Sequence, residues 1–96
     1  MADLLTDSEV QERLATLGQW RREGDAIVRD RELADFAAAI AWVNAIAEEA
    51  ERANHHPDLL VHGWNHVRLT VTNHSAGGLT QADFDLAAAI DALTGV

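Results

Sequence analysis

The spacing of apolar residues changes several times along the chain, and it predicts three helices separated by two extended regions. In three stretches the apolar residues recur every three or four positions, which is typical of helices that bury one face. The first helix is predicted to begin at Thr6 or Asp7 and to end near Gly18. The long central helix is predicted over residues 32–52, and the last helix over residues 81–93.

The two regions between these helices are predicted to form β-hairpins, because each has a short glycine-containing link between two apolar-rich runs. The runs are 20–22 and 26–29 around the link 23–25, then 59–62 and 66–72 around the link 63–65. Residues 66–72 alternate apolar and polar side chains, as expected for a strand with one buried face. The order helix, hairpin, long helix, hairpin, helix predicts an α+β fold with a four-stranded antiparallel sheet and three helices packed on one face.

Length and composition limit the class of protein. Ninety-six residues suffice for one domain, so residues 1–96 are expected to fold as a single unit that gains stability from forming a homodimer or homotetramer. Seven basic and sixteen acidic residues give a net charge of −9, which would repel nucleic acid, so no direct nucleic-acid binding is expected. There is no cysteine, no signal-peptide pattern and no uncharged membrane-length segment, so a cytoplasmic protein without a membrane span is predicted.

The candidate chemistry lies with the five histidines, all of which fall between His55 and His74. Imidazole titrates near neutral pH, so a histidine cluster suits acid–base work. His62 and His66 are interpreted as exposed hairpin residues rather than site residues. A zinc site is the alternative use of such a cluster, but no His-Glu-x-x-His spacing is present, so no metal is predicted.

The sequence Glu-Arg-Ala-Asn-His-His-Pro at residues 51–57, with the residues that follow it, resembles the signature of the pterin-4a-carbinolamine dehydratases. The resemblance covers roughly residues 14–94 and has ordered spacing: six residues separate Pro57 from Trp64, nine separate Trp64 from His74, and eight separate His74 from Asp83. The α+β fold that this resemblance implies agrees with the predicted order of elements.

That resemblance implies the dehydration of 4a-hydroxytetrahydropterin, such as 4a-hydroxytetrahydrobiopterin, to quinonoid dihydropterin and water. It implies a hydro-lyase of pterin recycling that needs no metal and no organic cofactor. His55, His56 and His74 would form the acid–base trio. The residues implied to contact the pterin or to orient the histidines are Glu51, Asn54, Thr72, Asn73, Ser75 and Asp83.

Several of these positions have a second interpretation. Glu51 is equally well explained as a solvated charge at a helix end, and Asp83 as a helix-capping residue. Trp64 is expected to pack on the hairpin turn rather than on a ligand. Asn54 stands where animal members of the family carry aspartate, and Ala82 stands where they carry arginine, so the charge near the pocket differs.

The competing function is a protein-interaction module, because vertebrate members of the family that this sequence resembles also bind a homeodomain transcription factor. Such a role would use a helical surface, and the long helix carries an alanine-rich face at Ala37, Ala38, Ala41 and Ala45. A pterin- or molybdopterin-related accessory role is a third interpretation.

Overall fold

The computed structural model describes residues 3–93, and it has the α+β architecture that the sequence predicts. The elements are α1 (Asp7–Leu14), β1 (Arg21–Glu23), β2 (Ala26–Glu32), α2 (Phe36–Ala53), β3 (Asp58–His62), β4 (His66–Val71) and α3 (Gln81–Asp91). The strands form one sheet in the order β1-β2-β4-β3, and each neighbouring pair is antiparallel. Within residues 3–93, no helix is both long enough and apolar enough to cross a membrane.

The start of the long helix is the main difference from the predicted boundaries. Glu32 is the last residue of β2, and the helix begins only at Phe36, where the Asp35 carboxylate accepts a hydrogen bond from the Ala38 N–H at 2.7 Å. The strand extends three residues beyond the predicted run 26–29, and Arg31 continues the helix-facing side on which Arg29 lies. Both guanidinium groups lie over the ring of Trp42, at 5.0 and 4.7 Å from its centroid.

The other boundaries differ by a few residues. The first helix ends at Leu14 instead of near Gly18, because the chain then continues in tight turns, such as the one closed by Leu17 N–H on the Leu14 carbonyl at 3.0 Å. The last helix ends at Asp91 instead of residue 93. At its start, α1 has a capping box in which Thr6 and Glu9 each bond the other's backbone N–H.

The hydrophobic core lies between one face of the sheet and the three helices. The helices contribute Val10 from α1, Ala39, Trp42 and Ile46 from α2, and Phe84, Leu86, Ala87 and Ile90 from α3. The sheet contributes Ile27, Val67, Leu69 and Val71 to the same cluster. Packing on this core brings the end of α2, the end of β4 and the start of α3 to one edge of the domain.

Candidate active site

The C-terminus of α2 directs two histidines out of the helix. Asn54 has φ 50° and ψ 43°, the left-handed conformation. Its N–H bonds the Glu51 carbonyl at 3.2 Å, and the His55 N–H bonds the Ala50 carbonyl at 3.0 Å, which together make a Schellman cap. Asparagine adopts this conformation at lower cost than most residues. Asn54 therefore sets the direction in which His55 and His56 leave the helix.

His55 contacts a fully buried carboxylate. Its Nε2 lies 2.5 Å from Oδ1 of Asp83, whose side chain has no exposed surface. The other oxygen, Oδ2, accepts hydrogen bonds from the Thr80 N–H at 2.7 Å and from the Thr80 hydroxyl at 3.3 Å. We assign His55 Nε2 as the donor to Oδ1, which is the arrangement that an ionised carboxylate requires. Asp83 thus caps α3 with one oxygen and fixes the His55 ring with the other.

His56 has a carboxylate neighbour of its own, but in solvent. Its Nε2 lies 2.8 Å from Oε2 of Glu51, and more than half of each side chain is exposed. Solvent weakens this pair, so it orients His56 less firmly than Asp83 orients His55.

The end of α2 with His55 and His56 forms one wall of the site, and the chain that follows β4 forms the opposite wall. The Thr72 hydroxyl donates to the Asp25 carbonyl, and the Asn73 side-chain oxygen accepts the Ala76 N–H at 3.0 Å. Gly77, with φ 79°, allows its N–H to bond the Asn73 carbonyl at 2.9 Å and so closes the turn. These contacts hold the strand end that presents His74 and Ser75.

The two walls enclose an open cavity of about 200 Å³. Its lining consists of seven residues that the sequence analysis singled out: Asn54, His55, His56, Thr72, Asn73, His74 and Ser75. Glu51 and Asp83 are not part of this lining, and they touch the site through His56 and His55.

Three residues of the second hairpin do not reach this cavity. His62 and His66 stack with ring centroids 5.4 Å apart and line a different groove on the sheet. Trp64 is 62% exposed, so the expectation that it packs on the hairpin turn is wrong. Gly63 and Trp64 both have positive φ, and this backbone turns the indole into solvent. Among residues 3–93, no three His, Cys, Asp or Glu side chains are arranged to hold a metal ion.

Two contacts of the site were not singled out by sequence reasoning. Thr80 is 1% exposed and supplies both hydrogen bonds to Asp83 Oδ2. Its spacing from Asp83 predicts only the start of a helix and does not point to the site. Asp25 holds Thr72 through its backbone carbonyl, and a main-chain contact over 47 positions leaves no signal in the side-chain pattern.

Comparison with known proteins identifies the family of this chain. Residues 3–93 match the family described as pterin 4 alpha carbinolamine dehydratase. A protein of Acidobacterium capsulatum, provisionally named pterin-4-alpha-carbinolamine dehydratase, is 51% identical over 89 residues, which are 93% of this chain and 96% of the relative. A protein of Trichormus variabilis with the same provisional name is 49% identical over 90 residues, 94% of this chain and 96% of that relative.

Two solved structures share the fold. A transcriptional coactivator/pterin dehydratase from Brucella melitensis superposes with a TM-score of 0.89 at 33% identity, covering 97% of this chain and all of the other. A pterin dehydratase-like protein identified as a RuBisCO assembly factor in the alpha-carboxysome has a TM-score of 0.65 at 26% identity, covering 80% of this chain and 90% of the other. With the family match over nearly its whole length, this chain belongs to the pterin 4 alpha carbinolamine dehydratase family.

Proposed function

We propose that the protein catalyses the dehydration of 4a-hydroxytetrahydropterin to quinonoid dihydropterin and water, as a hydro-lyase of pterin recycling in the cytoplasm. The observation that carries the proposal is the meeting of His55, His56 and His74 on one cavity, although they come from two chain segments. The names of the relatives support the same activity.

The reaction requires two proton transfers and no change of oxidation state. The C4a–O bond breaks, and the leaving hydroxyl takes a proton from an imidazolium to become water. An electron pair on a ring nitrogen forms the new double bond to C4a, and a proton on a ring nitrogen passes to a second, neutral imidazole. Exchange of protons with solvent restores both histidines.

The carboxylates divide the roles among the histidines. The buried Asp83 carboxylate is bonded to Nε2 of His55 and holds the ring in one orientation. Nδ1 is therefore the ring nitrogen that remains for the substrate. We assign His55 the positioning and proton-accepting role. His56 and His74 are exposed, exchange protons with water readily, and are assigned to the leaving hydroxyl.

The strand end 72–75 is proposed to bind the edge of the pterin ring. The backbone N–H and C=O groups of Asn73 are bonded to Gly77 and Gly78. Those of Thr72, His74 and Ser75 are therefore proposed to supply the donors and acceptors that match the pyrimidine edge. Asn54, at the opposite wall, is proposed to contact the same ring system.

The test is the rate at which freshly generated 4a-hydroxytetrahydropterin disappears, followed by ultraviolet absorbance. The wild type is expected to accelerate the decay, and His56→Ala and His74→Ala are each expected to lower kcat by about 10²-fold or more, as loss of an acid–base group does. His62→Ala is the matched control, since His62 lines a different groove, and it is expected to keep the wild-type rate. Dialysis against EDTA is expected to change nothing. A folded wild type that matches the uncatalysed rate would refute the dehydratase.

A protein-interaction role is the second candidate function. It is favoured by the exposure of large apolar side chains, since Phe36, Leu60 and Trp64 are each more than half exposed. A relative of the same fold is named as an assembly factor, which supports this candidate. Self-association to a dimer or tetramer is the simplest use of these side chains, and sedimentation velocity with Leu60→Lys and Phe36→Lys variants tests it. A monomeric wild type at micromolar concentration would contradict the oligomer.

A further inference from the structure

We propose that Leu4, Leu5 and Arg13, here called the N-terminal clamp, position the His55–Asp83 pair by holding residues 78–81. The inference rests on the proposed function for its catalytic meaning, but its structural claim can be tested without activity. None of the three clamp residues lines the histidine cavity. They are therefore positioning residues and do not touch the substrate.

The first attachment of the clamp is a short antiparallel pairing. Leu4 pairs with Thr80, and the Leu5 N–H donates to the Leu79 carbonyl at 2.9 Å. The Leu4 side chain lies against Gly78 so closely that a Cβ there would be 3.1 Å from Leu4 Cδ2. The absence of a side chain at Gly78 is what lets Leu4 lie there.

The second attachment comes from α1. The Arg13 Nε donates to the Gln81 side-chain oxygen at 2.6 Å, and Gln81 is the first residue of α3. The helix itself is anchored to β1, because the Arg22 guanidinium contacts Asp7 at 2.8 Å. Residues 78–81 are thus held from one side by a strand-like pairing and a side-chain hydrogen bond.

The clamped stretch is the one that connects both walls of the site to the buried carboxylate. Gly78 pairs with Asn73 of the cavity wall, and the Asn73 side-chain nitrogen donates to the Thr80 hydroxyl at 3.4 Å. Thr80 in turn donates its N–H to Asp83, which holds His55. A displacement of Thr80 would move the carboxylate that orients His55, so the clamp acts on the site through Thr80.

The clamp is peripheral enough to be loosened without unfolding the domain. Leu4 is 55% exposed, and Val10 is the one residue of α1 that is buried. Leu5 is a partly buried residue packed against the core, but most of the buried core residues come from the sheet, α2 and α3, so removal of the clamp contacts should leave the core packed.

The experiment measures exchange with water of the imidazole Nε2 proton of His55, by nuclear magnetic resonance of the full-length protein labelled with ¹⁵N-histidine. Leu5→Pro removes the N–H that bonds Leu79, and Arg13→Met removes the bond to Gln81. Each single variant is expected to speed exchange several-fold, and the double variant by about tenfold or more, since one or two hydrogen bonds of about 1 kcal/mol are lost. Circular dichroism checks that each variant is folded. If the double variant does not fold, the exchange rates of the two single variants decide the test.

Glu12→Met is the matched control, because Glu12 is exposed, lies next to Arg13 in α1, and makes none of the contacts to residues 78–81 described above. It is expected to leave the exchange rate of the His55 proton within about twofold of the wild-type rate, which corresponds to a free-energy difference of less than about 1 kcal/mol. Folded clamp variants that also stay within this range would overturn the proposal.

Dehydratase rates distinguish the two proposals. If the wild type is active, the clamp variants are expected to lose kcat in the same order in which proton exchange speeds up, with KM little changed. If the wild type is inactive, the exchange measurement still decides whether the clamp positions His55. Clamp variants that keep both the wild-type dehydratase rate and the wild-type exchange rate would refute the proposed role of the clamp and would leave the dehydratase proposal standing.

Discussion

Replacement of Asp83 tests the most specific contact in the structure. Its carboxylate is fully buried and accepts three hydrogen bonds, one from His55 and two from Thr80. Asp83→Ala leaves the Thr80 N–H and the His55 Nε2–H without an acceptor. Each unpaired buried donor costs about 1–3 kcal/mol, and His55 retains some access to water, so we expect a loss of about 2–4 kcal/mol in the free energy of unfolding.

Asp83→Asn separates stability from orientation. The amide oxygen can still accept the Thr80 N–H, so the expected loss is below about 1.5 kcal/mol, the net value of one hydrogen bond. The amide nitrogen, however, donates and would meet the donor at His55 Nε2. We therefore expect the His55 ring to change tautomer, with Nε2 as the acceptor and the proton on Nδ1.

Urea unfolding gives the free energies, and ¹⁵N chemical shifts of the labelled histidine give the tautomer. Glu51→Gln is the control, because the pair of Glu51 and His56 lies in solvent and should change stability by less than about 1 kcal/mol. An Asp83→Ala protein with wild-type stability, or an Asp83→Asn protein whose His55 keeps its proton on Nε2, would refute the assigned hydrogen bonds.

Three further predictions follow from other parts of the structure. Asn54→Gly should leave the free energy of unfolding within about 0.5 kcal/mol of wild type, whereas Asn54→Val should lower it by at least about 1–2 kcal/mol, because a β-branched residue resists the left-handed conformation. Equal midpoints of the two variants in urea unfolding would contradict the left-handed cap at Asn54. The hydrogen bond from Arg68, at 2.7 Å, lowers the pKa of Asp30 below its ordinary value of 3.8, so Asp30 stabilises the fold above that pH and ceases to do so as the pH falls through the lowered value. Asp30→Asn should therefore cost up to about 1 kcal/mol at pH 7 and progressively less as the pH falls through the lowered pKa of Asp30. A difference that does not depend on pH would count against this pair. Trp64→Ala should leave the unfolding midpoint nearly unchanged while removing solvent-exposed tryptophan fluorescence, and a large loss of stability would show that the indole packs.

The order of elements was predictable because the chain keeps a clean period in most of them. The strand β4 alternates strictly, with Val67, Leu69 and Val71 buried, and the capping sequence before α3 marks its start. The end of β2 was not predictable in this way. Arg29 and Arg31 occupy core-facing positions where the pattern calls for apolar residues. Both guanidinium groups lie over the ring of Trp42, and Arg29 also forms an ion pair with Asp91 at 2.6 Å, which helps to explain why charged side chains are accepted there.

The family resemblance predicted the residues of the candidate site from the sequence. It did not predict which of those residues contact each other. No spacing rule states that Asp83 faces His55 from 28 positions away, or that Glu51 faces His56 instead. Those pairings depend on where the left-handed Asn54 directs the chain and on how α3 packs against α2. Tertiary packing determines both, and local propensity does not.

The strand order also bears on how the chain folds. Residues paired between β3 and β4 are close in sequence, from 66 − 62 = 4 to 70 − 58 = 12 positions apart, whereas those paired between β2 and β4 are 66 − 32 = 34 to 71 − 27 = 44 apart. Closing the longer loop costs more chain entropy. We expect the β3–β4 hairpin to form early and the docking of β2, with α2 in the loop between them, to limit the folding rate.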